Sequence, residues 1–370
     1  MDVRNWSCWS VVAGLTVLMA TSAMPVYAKA DSEQATNPAF CRGGVPQTHP
    51  KHGPVLVVAA DGSGEFTTIQ DAVNAVPDNS DVRYTILVKK GTYWGTVHIP
   101  SSKLKVSLIG ATGNPKDVVL VDDHANGMLG PDGKSYGTSG SATVTVDASN
   151  FTARNVTFEN AFDPNAHPEI KNQQAVAVKT TGDKVVYVND RFIGRQDTLY
   201  AAASSGKLAR QVYERDYIEG TVDFIFGSAT AVFDHDVIHA LAHLGGTVTA
   251  ASTPADQNYG FLIVNSRITS DRALAPESYY LGRPWPQYGT TGSRAQVTVR
   301  NTWISKAINT EHWCDWTSPP FAWRDARFYE YHNRGPGARQ VADDVPQLTS
   351  GQAQQFTIAH YLAGWDPKVQ

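Results

Sequence analysis

The chain has 370 residues, 42% of them hydrophobic and 18% charged, which is enough apolar material for a large core. Its formal net charge of -4, from 31 basic and 35 acidic residues, excludes the basic stripe that nucleic-acid binding requires. The same balance gives no long-range attraction for a polyanion, so an anionic substrate must be held by local cations.

Residues 1–28 read as a targeting segment. Arg4 supplies the positive end, Val11 to Met19 the apolar stretch, and Val26-Tyr27-Ala28 a small-residue cleavage site, with a second cut offered at Ala28-Lys29-Ala30. The apolar run is too short to span a bilayer. Export is therefore expected, to the cell exterior or a periplasm, with no membrane attachment once the segment is removed. Cys8 is lost with it, and the two remaining thiols, Cys41 and Cys314, favour one disulfide in an exported chain.

Residues 29–52 form a Pro-, Gly-, Asn- and Gln-containing arm without apolar periodicity, and residues 53–370 form the folded domain. Short strands are expected at Val55-Leu56-Val57-Val58, Thr85-Ile86-Leu87-Val88 and Val106-Ser107-Leu108-Ile109. A helix is expected from Phe66 to Val76, before Pro77 stops it. From residue 140 onward a frame of Asn, two variable residues and an apolar residue recurs. It begins at Asn155, Asn189, Asn265 and Asn301, and with the Asn replaced at Arg215 and His235. Each unit follows a β-branched run. Strands recurring every 20 to 36 residues suit an all-β parallel solenoid in which equivalent positions stack and Asn amides form a ladder. A β-sandwich would need hairpin turns, and few Asn-Gly or Asp-Gly pairs stand at hairpin spacing. A closing helix is expected over Gly351 to Thr357, with Trp313, Trp316 and Trp323 as packing in the tail.

Asp197 lies in Gln196-Asp197-Thr198-Leu199, Asp223 in Thr221-Val222-Asp223-Phe224-Ile225-Phe226-Gly227, and Arg283 in Leu281-Gly282-Arg283-Pro284-Trp285. A carboxylate among apolar residues is costly unless paired or protonated. A structural ion pair satisfies any one of these segments; the three together point to an acid/base or nucleophilic site. The two aspartates are 26 residues apart, as are Asn189 and Arg215, which places them in one phase of consecutive coils. Gln174 precedes Gln196 by about one coil.

The segments from Tyr217 to Gly227, Gln196 to Tyr200, Gln174-Ala175-Val176-Ala177 and Leu281 to Trp285 resemble, in order, the signature segments of pectin methylesterases. The resemblance covers roughly residues 53 to 370. It implies a single-stranded right-handed parallel β-helix with a short N-terminal helix and a C-terminal tail. It also implies hydrolysis of galacturonate methyl esters in pectin by a monomer without metal or organic cofactor. The implied roles are Asp223 as nucleophile, Asp197 as general acid and base, Gln174 and Gln196 as oxyanion donors, and Arg283 as the residue orienting Asp223. Trp285, Tyr200, Phe226 and Thr138 are implied to face substrate.

The chain departs from the family pattern at several points. Gly95 stands where relatives carry an acid. Asp216 and Asp236 stand where relatives often carry paired cysteines, and with Asp190 they make a column of acids, expected as a solvated stripe rather than a cation site. His239 and His243 occupy the stretch where some relatives place arginines. The rival readings are a β-helix lyase or polygalacturonase, a non-catalytic glycan-binding solenoid, and an esterase acting on a non-pectin ester.

Overall fold

Three short β-rich runs per repeat, returning coil after coil, stack the chain into a parallel β-helix. The structure is a computed structural model and describes residues 53–367. The targeting segment, the arm and Cys41 lie outside the described residues, and with them one half of the expected Cys41–Cys314 pairing. Cys314 itself is buried.

Ten, eight and seven parallel strands form three sheets. One coil contributes Val185–Val188, Arg191–Ile193 and Leu199–Ala201, one to each sheet; the next contributes Arg210–Glu214, Tyr217–Gly220 and Val222–Gly227. Equivalent side chains therefore stand about 4.8 Å apart. Inside, the rings of Tyr187, Tyr213 and Phe233 stack in register, with centroids 5.0 and 4.7 Å apart. Ile218, Ile238, Ile268 and Ile304 form a parallel aliphatic column on the second sheet. Each fully buried isoleucine contributes about 1.5–3 kcal/mol of transfer free energy, so the columns fix the register of the coils.

The Asn frame is the corner between the ten- and eight-stranded sheets. Asn155, Asn189, Arg215, His235, Asn265 and Asn301 all adopt left-handed φ values of 51–60°. Asn tolerates that region best among residues with a side chain, which is why it recurs there. The amide ladder is shorter than the pattern suggests. Asn189 Nδ2 donates to Asn155 Oδ1 at 2.7 Å, whereas Asn265 turns to Asp234 because Arg215 and His235 interrupt the column.

The acid column is buried, not solvated: Asp190, Asp216 and Asp236 are 1%, 1% and 0% exposed. Corner N–H groups need acceptors that the sheets do not supply. Val156 N–H donates to Asp190 Oδ1 (2.8 Å), Asp190 N–H to Asp216 Oδ1 (2.7 Å), and Asp216 N–H to Asp236 Oδ1 (2.8 Å). Ser266 continues the same role one coil on, accepting from Asp236 N–H. Burial pushes all three carboxyls well above the ordinary range, and Asp216 is pushed further by Asp236 and Asp190. Oδ2 of Asp216 and of Asp236 has no hydrogen-bond partner among the described residues. A raised folded-state pKa means the unfolded chain ionises first, so this contribution to stability is complete below about pH 4 and is lost as pH rises toward the folded-state values. Asp216→Asn is thus expected to lose less Tm than wild type between about pH 4 and about pH 8. Thermal denaturation across that range checks it; parallel curves contradict it.

The ends differ from the sequence expectation in detail. The first helix is Ile69–Ala75, begun by Thr68, whose hydroxyl accepts from Asp71 N–H at 3.1 Å. The tail forms two short helices, Ser350–Ala353 and Ile358–Leu362, rather than one over 351–357, because Thr357 is extended and starts the second. Tyr361 and Leu362 pack on Val212, Val232 and Leu262, against the ten-stranded sheet. Gly95 has a φ of 110°, a conformation side chains avoid, which accounts for the missing acid there.

Candidate active site

The seven-stranded sheet carries the carboxyl pair. Leu199 pairs with Ile225 and Tyr200 with Phe226, so Asp197 and Asp223, each two residues earlier, occupy equivalent places on adjacent coils. Asp197 N–H donates to Val222 O at 3.0 Å. Both aspartates take left-handed φ values, 66° and 51°. At Asp223 the cause is a β-bulge. Val222 pairs with Thr247 and Ile225 with Thr249, so Asp223 and Phe224 together oppose Val248. A bulge re-aims a side chain that regular alternation would send elsewhere. Phe224 goes to the core and Asp223 to the site.

Arg283 lies two strands beyond Asp223, on Tyr279–Pro284. In register it stands beside Ala250, which stands beside Phe226, and a small residue at Ala250 leaves the guanidinium a path back to Asp223. Nε donates to Oδ1 at 2.9 Å and Nη2 to Oδ2 at 2.6 Å, a bidentate pair. The flanking Gly282 has no room for a Cβ, which would meet Thr249 Oγ1 at 2.0 Å. Thr247, which sequence reasoning missed, holds Asp223 from the intervening coil: its hydroxyl accepts from Asp223 N–H at 3.0 Å and donates to Asp223 Oδ1. Trp316 was also missed. The sequence places it as tail packing, yet its ring centroid lies 4.4 Å from the Arg283 guanidinium carbon, a cation–π contact on the ion pair's cation. Trp313 and Trp323 do pack in the core.

Asp197 is 8% exposed. Burial holds its carboxyl well above the ordinary range, the Asp223 carboxylate adds to that, and Arg283 opposes it. One carboxyl therefore carries an ion pair while its neighbour is driven toward the protonated form.

Gln174 and Gln196 stand on adjacent turns, both partly exposed, Gln196 next to Asp197 in the chain and joined to the Gln174 turn where Ala175 N–H donates to Gln196 O at 3.1 Å. Thr138, on the short helix Gly137–Gly140, is joined to Gln174 through Asn126. Tyr200 and Phe226 do not present open faces as expected: they are 6% and 3% exposed, stacked on each other at 4.2 Å. Trp285 leans on both, at 6.1 and 5.7 Å, and is the partly exposed ring of the three. The buried rings act as its backing. His239 is committed elsewhere, to Thr269 at 2.8 Å and Asp271 at 3.1 Å on the eight-stranded sheet. His243 is exposed.

The chain has relatives among known proteins. A family model described as pectinesterase matches residues 55–365. The chain is 36% identical to Pectinesterase 5 of Arabidopsis thaliana, over 83% of this chain and 50% of that one. It is likewise 36% identical to a pectinesterase of Ralstonia solanacearum, over 76% and 79% of the two chains. It thus spans about half the length of the Arabidopsis relative. Among solved structures, the pectin methylesterase of Erwinia chrysanthemi superposes with a TM-score of 0.76 at 31% identity, covering 87% of this chain and 100% of that one. The carrot pectin methylesterase gives 0.72 at 32%, covering 84% and 94%.

Proposed function

The chain belongs to the pectinesterase family, and on that premise we propose that it is an exported esterase that demethylates galacturonate methyl esters in pectin through an acyl-enzyme on Asp223. A solved pectin methylesterase, 32% identical to this chain, is in complex with a hexasaccharide, which supports a saccharide chain as the ligand. The observation that carries the reading is the unequal pair: Asp223 held bidentately by Arg283, beside a buried Asp197 whose carboxyl resists ionisation. An ionised Asp223 oxygen attacks the ester carbonyl carbon, and the carbonyl electrons move onto oxygen. Gln174 and Gln196 are neutral amide donors suited to that oxyanion, each such donor being worth about 2.7–4 kcal/mol. Neutral donors also avoid drawing the proton from Asp197. As the intermediate collapses, the bond to methoxide breaks and Asp197 supplies its proton, releasing methanol and leaving an anhydride on Asp223. Asp197, now a carboxylate, takes a proton from water, whose oxygen attacks the galacturonyl carbon; Asp223 leaves as carboxylate and the free galacturonate departs. Trp285 offers a flat apolar face for a sugar ring, and Thr138 a hydroxyl on the Gln174 side of the site.

Assaying methylated polygalacturonan separates this reading from its rivals. Methanol release without new reducing ends or unsaturated products is expected. New chain ends would point to a glycosidase or lyase, and binding without methanol to a glycan-binding solenoid.

A further inference from the structure

An oxyanion donor made of glutamine has a weakness that a backbone N–H lacks. Its amide can turn over and present oxygen where nitrogen is required, converting stabilisation into repulsion. Something has to set the polarity of Gln174. Asn126 does this. Its backbone N–H donates to Gln174 O at 2.8 Å, which fixes the position of the glutamine backbone. Its side-chain Nδ2 donates to Gln174 Oε1 at 3.1 Å and to Thr138 Oγ1 at 3.0 Å, using both of its hydrogens. Gln174 Oε1 is thereby engaged on the side of Asn126. Its Nε2 donates to no protein acceptor among the described residues and is left for a ligand. Thr138, having accepted from Asn126, likewise has its hydrogen left to give.

Asn126 is itself held. Its carbonyl accepts from Gly137 N–H at 3.1 Å and from the Ser135 hydroxyl, and Gly127 N–H next to it donates to Asn172 O at 2.8 Å. The segment from Asn126 to Thr138 is thus tied at its first end to the chain that carries Gln174, and its far end closes back onto Asn126.

We propose that Asn126 is a positioning residue that locks the Gln174 amide with its nitrogen toward the oxyanion. The inference rests on the esterase reading and on the role given there to Gln174. Asn126→Ala is expected to lower kcat about tenfold with little change in KM, because the amide then samples both orientations. Asn126→Asp is expected to be slower still, since a carboxylate draws Nε2 and holds the amide reversed. The deciding readout is a double-mutant cycle on methanol release: in a Gln174→Ala background, Asn126→Ala should cost nothing more. A further tenfold loss in that background shows that Asn126 acts independently of Gln174 and overturns the proposal. Wild-type kcat in Asn126→Ala does the same. Full activity in Gln174→Ala overturns the proposal together with the oxyanion role, while wild-type methanol release would still stand for the esterase itself. Unchanged Tm in each variant separates these outcomes from loss of fold.

Discussion

Asp223→Ala is expected to reduce kcat for methanol release by on the order of 10⁴-fold or more, with substrate binding largely kept. No other described group at the site combines ionisation with a place at the pair. Asp197 is driven toward its protonated form, and the two glutamines are amides. Removing the carboxylate also leaves Arg283 and Thr247 facing an empty space, so a fold-preserving companion is informative. Asp223→Asn keeps an oxygen for Thr247 and Arg283 and should be just as inactive. Substantial turnover in both variants would move the nucleophile elsewhere.

Asp197→Asn is the second large effect, about 10²–10⁴-fold in kcat on a methyl ester. Methoxide is a poor leaving group and departs only as it gains a proton, which an amide does not supply. The variant should therefore treat esters unequally. With an aryl ester of an oligogalacturonate, whose phenolate leaves without protonation, acylation recovers while the activation of water does not. Rapid kinetics should then show a burst of phenol near one equivalent per enzyme, followed by slow turnover. A variant equally slow on both esters, with no burst, would remove Asp197 from leaving-group protonation.

Much of the scaffold was legible because a solenoid writes its period into the sequence. The Asn155 to Asn301 frame marked the corner, since few residues other than Asn and Gly take left-handed φ readily, and its spacing put Asp197 and Asp223 in phase. What escaped was set by contacts between coils. Asp190, Asp216 and Asp236 looked like a surface stripe because acids usually are. The signal that they turn inward was available one frame further on, where Ser266 and Thr302 hold the same place with short hydrogen-bonding side chains. Thr247 was hidden because the bulge at Asp223 shifts the register that would have paired them. Trp316 sits far along the chain from Arg283 in spacing that no repeat predicts, and Asn126 lies in a loop without period. Tyr200 and Phe226 were placed on the correct face, but their cover is Trp285, which the strand pattern does not reveal.

The inequality between the two carboxyls is most directly tested by the pH dependence of kcat/KM in wild type and in the residual activity of Asp197→Asn. Wild type should show an alkaline limb, from loss of the Asp197 proton. Burial and the Asp223 charge hold that proton to higher pH than an ordinary carboxyl would. In Asp197→Asn that alkaline limb should disappear. The same alkaline limb persisting unchanged in the variant would contradict the assignment of Asp197 as the protonated partner.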